Sequence, residues 1–341
     1  MWLALAAVAA ADPVTFYVAT DGNDGWSGRL AAPNAGKMDG PFATLERARD
    51  EVRKRKTAGP LPAGGAVVEL RAGVFERERA FELSKEDAGT AEAPIVYRAR
   101  PGNSVRLIGG KRITGFAPVT DPAVLQRLVP AAQGQVWQVN LRSAGIADYG
   151  PPNGGGLELF FQGQPMTVAR WPNAGFVKIV QVRGPTPVNV RGTKGCAEGI
   201  FTYDGDRPQR WAGEKDVWLH GYWFWDWADQ RQKVESIDGE KRVVTLAKPY
   251  HHYGYRNGQW FYAFNVLAEI DQPGEWYLDR ATGVLYFWPP APLASGEVLV
   301  SVVPTLIRLT DTAHVTVSGL TLEAMRNTAV IVSDGAHNLI A

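Results

Sequence analysis

Short runs of β-branched and aromatic residues, broken by Gly, Pro and Asn, dominate both ends of this chain. Thr15-Phe16-Tyr17-Val18-Ala19 alternates like a half-buried strand. Val67-Val68-Glu69-Leu70, Ile95-Val96-Tyr97-Arg98 and Val105-Arg106-Leu107-Ile108 follow, separated by turns such as Arg100-Pro101-Gly102-Asn103. The C-terminal stretch repeats this style at Val298–Val302, Leu306–Leu309, Val315–Val317, Leu320–Glu323, Val330–Val332 and Asn338–Ile340. Val315 and Asn338 each follow a His, and their spacing is that of one coil of a parallel β-solenoid. One helix stands out against this background. Thr44 is placed to cap it, Leu45, Ala48 and Val52 form a single apolar stripe, and basic residues crowd its end. Such a helix suits the open end of a solenoid, which otherwise exposes core and strand edge.

Residues 116–296 differ. Ten of the 12 tryptophans fall there, all but Trp2 and Trp26. The strands are longer and pair as hairpins: Val234–Ile237 with Arg242–Leu246 through Asp238-Gly239, and Trp276–Asp279 with Val284–Trp288 through Thr282-Gly283. The pattern predicts an all-β chain in four parts: a leader over 1–11, a cap and first coils over 12–115, an inserted antiparallel β-domain over 116–296, and continuing coils over 297–341. The chain stops one residue after an apparent strand opens a new coil, so further coils are expected beyond Ala341.

The 341 residues carry 36 basic and 35 acidic side chains, for a net charge of +1. That balance gives no electrostatic case for nucleic acid or an anionic membrane as partner. An apolar fraction of 45% provides a core and argues against disorder. The single cysteine, Cys196, excludes an intrachain disulfide and a multi-Cys zinc site. Met1 to Ala11 is an apolar run ending in small residues, as in a signal peptide, though without a basic start. It is far shorter than the ~20 residues of a membrane span, so a secreted or periplasmic location is expected.

Four stretches carry a resemblance. Phe16-Tyr17-Val18 with Asp21-Gly22-Asn23-Asp24 and Pro41-Phe42-Ala43-Thr44-Leu45 resembles the entry segment of right-handed β-helix enzymes. Ala169-Arg170-Trp171-Pro172-Asn173, the run from Asn265 to Pro290 and Val315–Glu323 resemble glycoside hydrolase family 141 and its relatives. The resemblance covers nearly everything after residue 14. It implies a right-handed parallel, pectin-lyase-like β-helix split by an insertion domain, export, and fucosidase- or xylanase-like hydrolysis of cell-wall polysaccharide. It supplies no catalytic residues, which are expected on later coils.

Candidate chemistry comes from the residues themselves. Trp223, Trp225 and Trp227, read as a strand, would share one face and stack on sugar rings, with Asp226 and Asp229 accepting hydroxyls; a tryptophan-lined core is the competing reading. Glu269 and Asp271, at i and i+2 of a strand, would lie ~7 Å apart, near the separation used for inverting hydrolysis; the bland alternative, and the favoured one, is a polar strand end. Arg170-Trp171 offers a guanidinium to an acidic sugar or serves as a buried structural partner. Adjacent His251 and His252, on opposite faces of a strand, make poor joint metal ligands, and Cys196 has no evident base partner. No phosphate-binding glycine loop is present, and no cofactor is called for. Calcium stays open because Asp21–Asp24 is oxygen-rich, although an Asx turn explains that loop equally. A polysaccharide or oligosaccharide is the expected partner, with oligomeric state undetermined. A polysaccharide lyase on the same scaffold and a non-catalytic carbohydrate-binding protein are the alternatives.

Overall fold

The computed structural model describes residues 12–341; the leader expected over 1–11 lies outside them. The fold is mostly β. The chain forms two compact units, one from residues up to 111 together with 301–341, the other from 112–300.

Among its described residues the first unit contains three sheets, every pairing within them parallel. One joins Val14–Val18, Ala66–Leu70, Ile95–Ala99, Val315–Ser318 and Leu339–Ile340. A second joins Gly73–Glu76, Val105–Ile108 and Leu320–Glu323. The third joins Phe81–Leu83, Ile307–Thr310 and Val330–Ser333. From Ala66 onward the chain visits the three in rotation, and it resumes that rotation after residue 301. Alternate residues point inward: Phe81 and Leu83, Ile95 and Tyr97, Val105 and Leu107, Val315 and Val317 are all buried in one cluster.

The 23-residue spacing read from sequence recurs as register. Thr316 pairs with Leu339 and Ile307 with Val330, and the Val315 amide donates to Asn338 Oδ1 across 23 positions. His314 and His337 both adopt positive φ, 52° and 57°, and their rings stack 4.7 Å apart. The helix spans Leu45–Ala58; Thr44 Oγ1 accepts from the Arg47 amide, and Leu45, Ala48 and Val52 are its buried stripe. Gly65 has φ 74°, and a Cβ there would lie 1.8 Å from the Pro94 carbonyl oxygen. Only glycine fits this turn between the helix and the Ala66 strand.

The second unit is antiparallel apart from one parallel pairing, Thr167–Val168 with Glu275–Asp279. Both hairpins expected from sequence form: Asp229–Asp238 with Val243–Leu246, and Glu275–Asp279 with Val284–Phe287. Val298–Ser301 pairs antiparallel with Leu159–Phe161 instead of joining the parallel strands, a difference that an apolar four-residue run could not show. The strands Trp218–Tyr222, Asp229–Asp238 and Trp260–Phe264 lie side by side in the largest sheet. Under it packs a core of Phe201, Trp211, Trp223, Tyr255 and Phe261.

Candidate functional site

The run Trp223 to Ala228 is the turn between the Trp218–Tyr222 and Asp229–Asp238 strands, not a strand, so its tryptophans do not share a face. Trp223 is fully buried among Phe201, Tyr255 and Phe261, and its indole donates to the Gln230 carbonyl at 2.9 Å. Trp225 is half-buried, edge-on to Phe224 with the Arg256 guanidinium over it. Asp226 accepts from Gln259 and faces Arg256 at 3.8 Å. Trp227 alone projects, 65% exposed, with its ring against Tyr253. A turn can bury Trp223 and Phe224 consecutively, which an alternating strand cannot.

Trp227 borders a cleft of about 420 Å³ lined by Asp229, Gln230, Tyr250, His251 and His252. The two histidines sit in a loop, not on a strand, and their rings approach to 4.9 Å. His251 is 5% exposed, and its Nδ1 has no hydrogen-bond partner. Burial, then the neighbouring His252 charge, push its pKa down, which favours the neutral imidazole. The cleft thus combines one exposed indole face, a carboxylate and the imidazoles of His251 and His252. That set suits a sugar: apolar ring face on Trp227, hydroxyls on Asp229 and His251.

Glu269 and Asp271 do not lie on a strand, so the i, i+2 strand separation expected of them does not apply. Glu269 ends the short helical turn Leu267–Glu269 and is completely buried. Arg207 grips both its oxygens, with Nε 2.9 Å from each, and Trp211 Nε1 donates to Oε1 at 2.5 Å. The same guanidinium reaches Asp271 Oδ2 at 2.7 Å, while Asn173 donates to Oδ1. A carboxylate so saturated ties the Arg207 and Trp211 side chains together and has no lone pair to spare for catalysis.

Asp271 leads to Glu275, also buried, whose Oε2 accepts the Asp271 amide at 2.8 Å. Burial pushes the Glu275 carboxyl up to about 7, against the opposing amide hydrogen bond from Asp271. Folded protein therefore holds this proton where unfolded chain, near 4.5, has released it. The resulting stability is fully present below about 4.5 and lost as pH rises to about 7. Urea unfolding from pH 4 to 8 is expected to show Glu275→Gln gaining on the wild type across that window. Parallel stability curves would refute the assignment.

Arg170 and Trp171 diverge, as neighbours on a strand must. Trp171 turns toward the core against Trp211, ring centroids 5.6 Å apart. Arg170 lies on the opposite face with its guanidinium 3.8 Å from the Tyr262 centroid. Sequence reasoning missed that face, which carries His220, Tyr222, Trp260, Tyr262 and Phe176. Its signal was the alternation in Trp218–Tyr222 and Trp260–Phe264.

The remaining candidates are occupied locally. Asn23 Oδ1 accepts the Gly25 amide, an Asx turn, and Asp24 accepts from the Ala43 and Thr44 amides and the Thr44 hydroxyl. Cys196 is buried on the strand Thr193–Cys196, with burial pushing its thiol up. Among the described residues no three His, Cys, Asp or Glu side chains converge as a metal cage, and no helix is long and apolar enough to cross a membrane.

No protein-family model and no curated protein matches this chain. Among solved structures, a chain described as "Glycoside hydrolase" is similar over 92% of this chain, with a TM-score of 0.70 and 20% identity. This chain spans about half of that one, 51%. A second, "The complex structure of XylC with xylose", is 14% identical over 92% of this chain and 36% of its own, with a TM-score of 0.39. The first likeness shows a shared fold.

Proposed function

We propose that this chain belongs to an exported carbohydrate-active protein, a glycoside hydrolase of cell-wall polysaccharide similar to family 141. Its first unit is read as coils of a right-handed parallel β-helix, and its second as a domain inserted between coils. The rotation through three parallel sheets and the 23-residue register support the helix. The observation that carries the functional reading is the fold likeness to a chain described as a glycoside hydrolase. Fold alone does not fix chemistry, so the site must carry the rest. We assign sugar contact to Trp227, Asp229 and His251, and assign no catalytic carboxylate.

The test is incubation with xylan and fucosylated cell-wall polysaccharides, following new reducing ends, alongside retardation in gels containing the same polymers. Release of reducing ends supports hydrolysis, with fucose or xylose as the expected product. An unsaturated product absorbing in the ultraviolet and lost with chelator replaces hydrolase by lyase. Retardation without release leaves a binding protein. Trp227→Ala is expected to weaken retardation about 10-fold or more, since an aromatic platform contributes about 1.4 kcal/mol or more when it stacks. Neither release nor retardation for any polymer would sink the carbohydrate reading.

A further inference from the structure

The largest sheet of the second unit presents a second surface with carbohydrate chemistry. Pairing sets Trp218 opposite Phe264 on one side and Lys233 on the other; His220 lies likewise between Tyr262 and Arg231. Tyr222 lies opposite Asp229 and meets Trp260 ring to ring at 6.1 Å. Arg170 stands opposite Phe264 and Lys178 opposite Trp260, beyond the aromatic block. Alternate residues of two adjacent strands thus form an aromatic floor about 13 Å long, four strand residues at ~3.3 Å each, with Asp229, Arg231 and Lys233 of the third along its edge.

Phe176 stands on this floor. Its ring contacts His220, Tyr222, Trp260 and Tyr262 at centroid distances of 5.5 to 6.4 Å, yet the residue is 44% exposed. A phenyl ring held by four aromatic neighbours with one side left to solvent is preorganised to receive a flat apolar ligand face. The charges around the ring indicate which ligand. His220 Nδ1 and Trp260 Nε1 are buried without hydrogen-bond partners, and the nearest anion to the former is Asp229 at 3.8 Å.

Three of the four flanking cations are already engaged. Arg170 donates to the Pro172 and Gly175 carbonyls, Arg231 to the Pro152 carbonyl, and Lys233 lies 3.7 Å from Asp216. A polyanion would find free positive charge at Lys178 alone among the four. A neutral sugar ring would find an apolar platform for its apolar face, with His220 Nδ1 and Trp260 Nε1 sealed from solvent.

We infer that the surface built by Phe176, Tyr222, Trp260 and Tyr262 with His220 binds a neutral polysaccharide chain, separately from the Trp227 cleft. This inference rests on the carbohydrate reading above, and the experiment keeps the two apart. Intact wild type, Phe176→Ala, Phe176→Trp and Trp227→Ala are compared by gel retardation in xylan, mixed-linkage β-glucan and polygalacturonate, at low and at high salt.

The expected result is retardation by a neutral polymer that salt leaves unchanged, weakened at least 10-fold in Phe176→Ala and retained in Phe176→Trp. Phe176 is exposed, so its loss is not expected to unfold the chain, and unchanged tryptophan fluorescence confirms that. Neutral-polymer binding equal in wild type and Phe176→Ala overturns the inference. So does retardation confined to polygalacturonate and abolished by salt. If Trp227→Ala alone loses binding, the carbohydrate reading stands and this surface falls. If no polymer binds, both fall.

Discussion

Arg207→Ala is expected to destabilise the second unit by about 3–5 kcal/mol, the usual cost of removing one partner from a buried ion pair. Glu269 has no exposure and would keep only the Trp211 indole and the distant Arg210, 4.0 Å away, to balance its charge. Asp271 would lose its cation in the same step. Urea unfolding followed by tryptophan fluorescence measures the change, and Trp211 reports from within the cluster. Arg207→Lys is expected to lose less, since it keeps the charge but not the fork that grips both Glu269 oxygens. The double replacement Arg207→Met with Glu269→Leu removes the uncompensated charge and is expected to recover much of the loss. A change under about 1 kcal/mol for Arg207→Ala would show that water reaches Glu269 and that the pair is not a buried one.

That network marks the limit of what the sequence could reveal. Glu269 and Asp271 were visible as two nearby carboxylates, but Arg207 lies 62 positions before Glu269, and no local pattern connects them. Features set by neighbours in sequence were legible: the Thr44 cap, the stripe of Leu45, Ala48 and Val52, and the two hairpins with their Gly turns. The His314 and His337 spacing was legible too, because a repeat writes the same register into successive strands. The aromatic floor was not. Trp218–Tyr222 and Trp260–Phe264 each alternate, but which of their two faces meets solvent is decided by what packs beneath, Phe201 and Trp223 among them. A one-residue error in register would have exchanged those faces.

The tryptophan-rich turn gives the clearest separation between structural and functional aromatic residues. Trp223→Ala is expected to destabilise the second unit by about 3–5 kcal/mol, from lost burial plus a cavity that Phe201, Tyr255 and Phe261 can only partly close. The Gln230 carbonyl also loses its indole donor. A loss of that size approaches the whole stability of many domains, so the variant is expected to unfold early in urea and to be recovered poorly. Trp227→Ala, four residues on, removes a ring that solvent already reaches and should shift the unfolding midpoint little. The pair therefore assigns each tryptophan by a different readout: Trp223 by unfolding, Trp227 by polysaccharide retardation with the fold intact. Equal stability of the two variants would return Trp223 to the surface and restore the alternating strand that the sequence first implied. Unfolding by Trp227→Ala would instead make that indole part of the core and remove the platform on which the cleft's sugar contact depends.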